Sequence, residues 1–337
     1  MAMTMDFGID LGTANTLIYD RKKGIILNEP SIAVKNKKNK QFIAIGADAI
    51  DMIGRTPDGA QTIRPIRNGV ITSFQGTVSM LKHFIKKSAE NSFLRPRAVI
   101  CVPCGITEVE RRAVVEAANN AGIKEVCLFE QTLAAAIGSG VPIGEPHGSM
   151  VVNIGAGVTE IAVISLGGIV VSNTTRTAGE AFDNAIIQYV KRKYNMSIGD
   201  VTAEQIKCSI GAVYRHKDGG SFEMMGRDLL TGLPKTAKIS SDDVRIALEE
   251  CADEIVDAIK ITLENTPPEL ASDIIESGIV LTGGGALLKG LGKLINVNVD
   301  IPVYIAEEPM NCVAIGAGKS LEYMTEMGFT MRSMVQI

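Results

Sequence analysis

Residues 150–164 read MVVNIGAGVTEIAVI: an apolar run climbs to a small-residue turn and returns as a second apolar run. The turn holds Asn153, Gly155, Ala156 and Gly157. Residues 5–20, MDFGIDLGTANTLIYD, repeat the plan, with Asp10 over Asn153, Gly12 over Gly155 and Thr16 over Thr159. Strand, tight Gly turn, strand predicts a hairpin whose tip exposes backbone N–H groups, a seat suited to phosphate oxygens. Two such tips, one in each half of the chain, predict two related domains closing on one nucleotide.

A chain of 337 residues is long enough for two domains with generous cores. Hydrophobic residues at 46% and charged residues at 21% are ordinary for a globular protein. A net charge of −4 gives no footprint for bulk nucleic-acid binding, so no nucleic-acid partner is expected. The first apolar run is interrupted by Asp6 and Asp10 and does not read as a secretory signal. No window reaches the ~18–20 uninterrupted apolar residues of a membrane span. The expected location is cytoplasmic. Of six cysteines only Cys101 and Cys104 have metal or redox spacing, and no second Cys or His pair completes a zinc site. Cys101 therefore reads as a buried strand end. His83, His147 and His216 have no partner at ligand spacing and receive no role.

Outward from the two hairpins, the first half continues with strands over 24–34, broken at Glu29 and Pro30, and a polar hairpin tip at 35–41 (KNKKNKQ). An extended crossing segment is expected over 62–71 and an amphipathic helix over 75–90. A strand over 99–103 precedes an Ala-rich helix over 107–121, with Thr107 as N-cap and Glu110 at the capping-box position. A strand over 125–129 and a tight-packing helix over 133–137 follow. The second half repeats this order. It adds a helix over 179–194, one over 202–210 capped by Thr202, and a polar, short-stranded insertion over 214–238. A long helix over 242–264 is closed by Pro267 and Pro268. A strand over 278–281 then runs into Thr282-Gly283-Gly284-Gly285-Ala286, expected to open a helix over 287–295. The fold class is α/β, with mixed sheets covered by helices.

Three Gly-rich turns thus follow strands. Turn tips can bind β- and γ-phosphates, and a strand–GGG–helix turn lets backbone approach a ligand without side-chain clash. Asp10, ending a strand beside the first turn, is placed to hold Mg²⁺ through its water shell.

The motifs DFGIDLGTANTLIY, CVPCGITEVERRAVVEAANNAG, GSMVVNIGAGVTEIAVISLGGIV, GIVLTGGGALLKGL and AIGAGKSLE together resemble the actin-fold ATPases, and within them the bacterial actin MreB family. The resemblance spans essentially the whole chain. It implies an actin-like (ribonuclease H-like) two-domain fold with duplicated five-stranded mixed sheets and two small inserted subdomains. The implied partition is subdomain IA over 1–31, 69–142 and 310–337, IB over 32–68, IIA over 143–178 and 243–309, and IIB over 179–242. It implies ATP or ADP with Mg²⁺ between the domains. It also implies head-to-tail self-assembly into filaments, paired and antiparallel, at the inner face of the membrane, with paralogous bacterial actins as further partners. Filaments of this kind support cell shape or motility. The fold is shared by small-molecule kinases and chaperone ATPases, but no sugar-kinase motif and no following peptide-binding domain appears in the sequence.

Carried over by resemblance, Gly12, Thr13, Ala14 and Asn15 make the first phosphate contacts, and Asn153, Gly155, Ala156 and Gly157 the second. Gly283, Gly284, Gly285 and Ala286 line the adenosine side. Glu204 and Lys207 resemble the ribose and adenine pair, where spacing alone describes an ordinary i,i+3 surface pair. The family carries Asp at Asn153, Gly at Ala156, Thr at Val158 and Glu at Gln131. In the family that Glu and that Thr position the attacking water, and the Asp helps hold Mg²⁺ and its waters. An amide orients water but is no base, and Val does neither. Losing a positioned base costs about 10²–10⁴ in rate, so weak hydrolysis is expected. A one-residue shift of register would bring Glu130 to the catalytic place instead. Phe93 and Leu94 sit where the family inserts an apolar loop into the bilayer, with Arg95 and Arg97 beside them for anionic lipid.

Overall fold

The computed structural model describes residues 6–55, 58–89, 95–215 and 219–326. The chain divides into two units, Met1–Ile143 with Met310–Ile337, and Gly144–Pro309.

The first unit is built on the hairpin of strands Asp6–Leu11 and Asn15–Asp20. Gly24–Pro30 extends it antiparallel on one side, and Arg97–Val102 and Glu125–Glu130 extend it parallel on the other. Phe7 through Leu11 are buried without alternation, as a central strand covered on both faces requires. Helices Phe74–Ser88 and Glu108–Ala121 pack together against one face of the sheet, with Phe7, Ile9, Ile100, Leu81 and Phe84 in the core between them. Helix Glu108–Ala121 starts with the expected capping box, Thr107 and Glu110 each bonding the other's backbone N–H.

Helix Cys312–Glu326 packs on helix Gln131–Gly138 and on strand Asp6–Leu11. The two helices meet backbone to backbone. A Cβ on Gly138 would lie 1.8 Å from the Cys312 carbonyl oxygen, and one on Gly316 would lie 1.8 Å from that of Ala134. The small residues of this crossing are therefore a packing requirement.

The second unit repeats the sheet. Val303–Ile305, Ile279–Thr282, Ser149–Ile154, Thr159–Ser165 and Gly168–Thr175 stand in the same order, with the same parallel and antiparallel pairs. The two hairpins match residue for residue: Asp10↔Leu17 and Leu11↔Thr16 correspond to Asn153↔Glu160 and Ile154↔Thr159. Each unit also carries a three-stranded antiparallel sheet. In the first it is Phe42–Ile45, Ala33–Asn36 and Ala60–Ile63, and in the second Met196–Ser197, Ser221–Asp228 and Pro234–Ser240. This is the expected α/β actin-like architecture with two five-stranded mixed sheets.

Four local expectations are corrected. Residues 62–71 are a strand end followed by the ladder of Ile66–Arg67 and Val70–Ile71, turned by Asn68 and Gly69 at φ 49° and 73°. That pair of positive φ values is the Asn-Gly hairpin signal. Helix Asp200–Ile210 starts after Gly199, so Thr202 lies inside its first turn and caps nothing. Pro268 opens a further helix, Pro268–Ser277, where a missing N–H at the first turn costs nothing. The triple-Gly turn opens a single 3₁₀ turn, Gly284–Leu287, and the α-helix begins later at Leu291–Val299 after Gly290 at φ 82°. Among the described residues, no helix is long and apolar enough to cross a membrane.

Candidate functional site

In the first unit the hairpin closes on Leu11↔Thr16, and Gly12, Thr13 and Ala14 form its tip. Buried Ser31 braces this tip from below. Its hydroxyl donates to the Gly12 carbonyl at 2.7 Å, its amide donates to the Ala14 carbonyl at 2.7 Å, and its Oγ lies 2.8 Å from the buried Thr16 hydroxyl. A trans peptide whose C=O points inward presents the next residue's N–H outward. The Thr13 amide is thus turned away from Ser31. The Thr13 hydroxyl accepts from the Gly69 amide at 3.3 Å. Gly12 is required here, since a Cβ would meet the Asn15 carbonyl oxygen at 2.5 Å.

In the second unit the hairpin closes on Ile154↔Thr159 around Gly155, Ala156, Gly157 and buried Val158. The brace is now a helix N-terminus: Gly179 and Glu180 of helix Gly179–Tyr194 donate their amides to the carbonyls of Gly155 (3.1 Å) and Ala156 (2.7 Å). Gly155 donates across the turn to the Val158 carbonyl at 2.9 Å. Among the described residues, the amides of Thr13, Ala156 and Gly157 have no acceptor. Different parts of the chain thus tie down the equivalent Gly12 and Gly155 carbonyls in the two tips. Ser31 was not singled out from the sequence, where its only signal is a hydroxyl residue directly after the strand-ending Pro30.

Asp10, the penultimate residue of its strand, is 8% exposed, and burial pushes its carboxyl up to about 7. The Gln131 side-chain amide donates to it at 3.4 Å. Glu130, one residue earlier, is half exposed, with an oxygen 4.0 Å from Arg111. The register of strand and helix therefore turns Gln131 to Asp10 and Glu130 to Arg111. Asn153, in the position equivalent to Asp10, is buried and accepts from the Thr282 hydroxyl at 3.2 Å.

The triple-Gly turn is shaped by the second hairpin. A Cβ on Gly283 (φ 79°) would lie 2.3 Å from the Ile154 carbonyl oxygen, and one on Gly285 2.2 Å from the Ile154 side chain. Gly283 also donates to the Pro309 carbonyl at 2.7 Å, and Ala286 is buried. Two of these glycines thus answer to protein packing, a reason the sequence did not disclose. Glu204 and Lys207 do not pair with one another. Lys207 reaches the Gly179 carbonyl at 3.1 Å and the Asp183 carboxylate at 2.9 Å, while Glu204 is exposed. Burial pushes the Asp183 carboxyl up to about 6 against the opposing pull of Lys207.

Cys101 is a buried strand end, as expected, and Cys104 Sγ lies 3.1 Å from the Thr132 hydroxyl. Among the described residues no cluster of potential metal ligands is present. Phe93 and Leu94 lie outside the described residues. Of their basic neighbours, Arg95 is exposed and donates through Nε to the Gly122 carbonyl at 3.2 Å. Arg97 makes two 2.7 Å contacts with Asp6, an ion pair that already engages its charge.

The sequence model of the family described as MreB/Mbl protein matches residues 4–328. The chain belongs to the MreB/Mbl family. It is 50% identical to the cell shape-determining protein MreB of Escherichia coli strain K12 over 329 residues, 96% of this chain and 95% of that one. It is 48% identical to the cell shape-determining protein Mbl of Bacillus subtilis strain 168 over 323 residues, 96% and 97% of the two chains. Among solved structures, MreB5 of Spiroplasma citri bound to AMPPNP superposes with a TM-score of 0.92 at 37% identity, covering 98% of this chain and 100% of that one. MreB5 bound to ADP gives the same score and identity. The MamK double helical filament, at 21% identity and a TM-score of 0.82, shares the fold. The MreB/Mbl assignment and the actin-like fold thus rest on sequence and structure together.

Proposed function

We propose that this chain is an ATP- and ADP-binding cytoskeletal protein that assembles head to tail into filaments and turns nucleotide over slowly. The observation that carries the reading is the pair of corresponding hairpin tips, each with two carbonyls tied down by the protein, and with the amides of Thr13, Ala156 and Gly157 left for an anion. Backbone amides hold phosphate without any particular side chain, so the departures at Asn153, Ala156 and Val158 leave binding intact. The nucleotide seen on MreB5 by its solved structures agrees with that chemistry.

Asp10 fits a divalent cation. Its buried carboxylate has no cation beside it among the described residues, and desolvation alone raises its proton affinity. Mg²⁺ held through water at Asp10 would supply the missing charge and neutralise phosphate oxygens. Hydrolysis is expected to be slow because Gln131 and Val158 stand where a water-positioning carboxylate and hydroxyl belong. On this reading Gln131 orients a water but takes no proton from it.

The family assignment supports filaments at the inner face of the membrane, serving cell shape or motility, paired with antiparallel strands and open to paralogous bacterial actins. Phe93 and Leu94 are the proposed bilayer contact. Two apolar side chains supply roughly 3–5 kcal/mol when fully buried, weak for one copy and large when multiplied along a filament. Electron microscopy with ATP and Mg²⁺, together with phosphate release on the same samples, tests the core reading. Filaments with slow release are expected, and a sample without filaments overturns it. For the membrane contact, Phe93→Ala/Leu94→Ala should lower liposome co-sedimentation, and unchanged binding counts against that loop.

A further inference from the structure

The two tips are braced by different kinds of donor. Ser31 holds the Gly12 carbonyl with a side-chain hydroxyl. In the second unit the donors to Gly155 and Ala156 are the main-chain amides of Gly179 and Glu180, and a main-chain donor goes where its segment goes. The helix start lies against the tip: a Cβ on Gly179 would be 3.2 Å from the Ala156 Cα. The carbonyls of Gly155 and Ala156 share rigid peptide groups with the amides of Ala156 and Gly157. Whatever seats residues 177–180 therefore also aims those two amides.

Buried Thr177 stands just before that helix start and is held at three atoms. Its carbonyl accepts from the buried Thr159 hydroxyl at 2.7 Å, in the returning strand of the same hairpin. Its amide donates to the Thr175 hydroxyl at 3.2 Å. Its hydroxyl donates to the carboxylate of Glu254, 77 residues later on helix Ser241–Glu264. One turn further along the same helix, the Ala258 carbonyl accepts from the Asn173 side chain at 3.2 Å. Lys207 adds a bond to the Gly179 carbonyl at 3.1 Å. Of the three ties on Thr177, the one to Glu254 has an ionisable partner, and a hydroxyl bonded to a carboxylate is roughly twice as strong as a neutral pair.

We propose that Glu254, acting through Thr177, is a positioning residue for the second phosphate tip. The carboxylate orients Thr177, Thr177 seats the start of helix Gly179–Tyr194, and that start aims the amides of Ala156 and Gly157 at an anion. The inference rests on the nucleotide-binding reading above and names two residues outside the tip that control its grip.

Affinity for a fluorescent ATP analogue with Mg²⁺, read beside a thermal melt, tests it. Thr177→Val removes the donor and Glu254→Ala the acceptor, and each should weaken binding by about threefold to tenfold, the weight of one hydrogen bond. Glu254→Gln, a milder change at an exposed residue, should fall between parent and Glu254→Ala. The double variant Thr177→Val/Glu254→Ala should bind no worse than the weaker single variant, because the two residues act as one unit. Thr177→Ser keeps the donor and should bind like the parent. Asn173→Ala cuts the neighbouring tie to the same helix, and should lower the melting temperature without changing affinity. Three results overturn this inference and leave the nucleotide reading standing: folded variants that bind like the parent, additive losses in the double variant, or a loss in Asn173→Ala as large as in Thr177→Val. A parent that does not bind the analogue overturns both.

Discussion

The side-chain amide of Gln131 lies 3.4 Å from a carboxylate oxygen of Asp10, so the first residue of helix Gln131–Gly138 closes over the buried acid one residue before the end of the central strand. The amide donates a hydrogen bond to that acid without adding charge. Gln131→Glu puts a second carboxylate there and supplies the missing base. Phosphate release under assembling conditions should rise by about 10²-fold when Gln131→Glu is combined with Val158→Thr. The double variant should also depend more steeply on Mg²⁺ for its thermal stability, since two adjacent carboxylates repel. Release at the parent rate in the folded double variant would show that these positions do not limit turnover.

Ser31 is the brace of the first tip. Ser31→Ala leaves the part-buried Gly12 carbonyl without its donor and buried Thr16 without its partner, a loss of about 1–3 kcal/mol. The peptide that presents the Thr13 amide is then free to rotate. Affinity for a fluorescent ATP analogue should fall severalfold, beyond any change in melting temperature. Thr16→Val removes the neighbouring hydroxyl but keeps the Ser31 bond to Gly12, so it should cost stability with little loss of affinity. Equal affinity losses in the two variants would assign Ser31 a purely structural part.

The duplicated hairpin was legible because Gly turns between apolar runs leave a pattern in the sequence itself, and the ladders confirm it pair by pair. Asp10 and Gln131 were legible as family positions, and their contact was not, because it joins a strand end to a helix start 121 residues later. Gly283 and Gly285 looked like room for a ligand, whereas the nearest obstacle to their side chains is Ile154 of the neighbouring strand. Helix Pro268–Ser277 was hidden because a Pro pair reads equally as a stop or as a first turn. Ser31 was hidden because a single hydroxyl carries no period. Local pattern therefore located the tips, and tertiary contact decided how they are held.

The helix crossing at Gly138 and Gly316 predicts a sharp stability effect. A methyl group at Gly316 would meet the Ala134 backbone, which cannot yield as a flexible side chain would. Gly316→Ala should cost about 1–3 kcal/mol or more through overpacking, seen as a lower urea midpoint for the first unit. Gly140→Ala is the useful contrast, since no atom lies within 4 Å of its Cβ but its φ of 81° is unfavourable for a side chain. It should cost about 1 kcal/mol from backbone strain alone. A smaller effect at Gly316 than at Gly140 would mean that the two helices can separate freely.

Acid stability should depend on Asp243. Burial raises its proton affinity, but Lys193, Tyr194, Tyr189 and Ser240 all bond it and hold its carboxyl well below the usual carboxylate range. A depressed folded-state value means that the unfolded chain binds the proton first. The stabilisation is therefore fully present above the ordinary value near 3.8 and is lost as pH falls below it. Asp243→Asn keeps the shape but removes the charge that Lys193 and the two phenols share. Its melting temperature should lie a few degrees below the parent at pH 7, with the gap shrinking as pH drops through and below 4. The gap would stay constant with pH if the network contributed only through packing, and thermal melts of parent and variant from pH 7 to 3 distinguish the two.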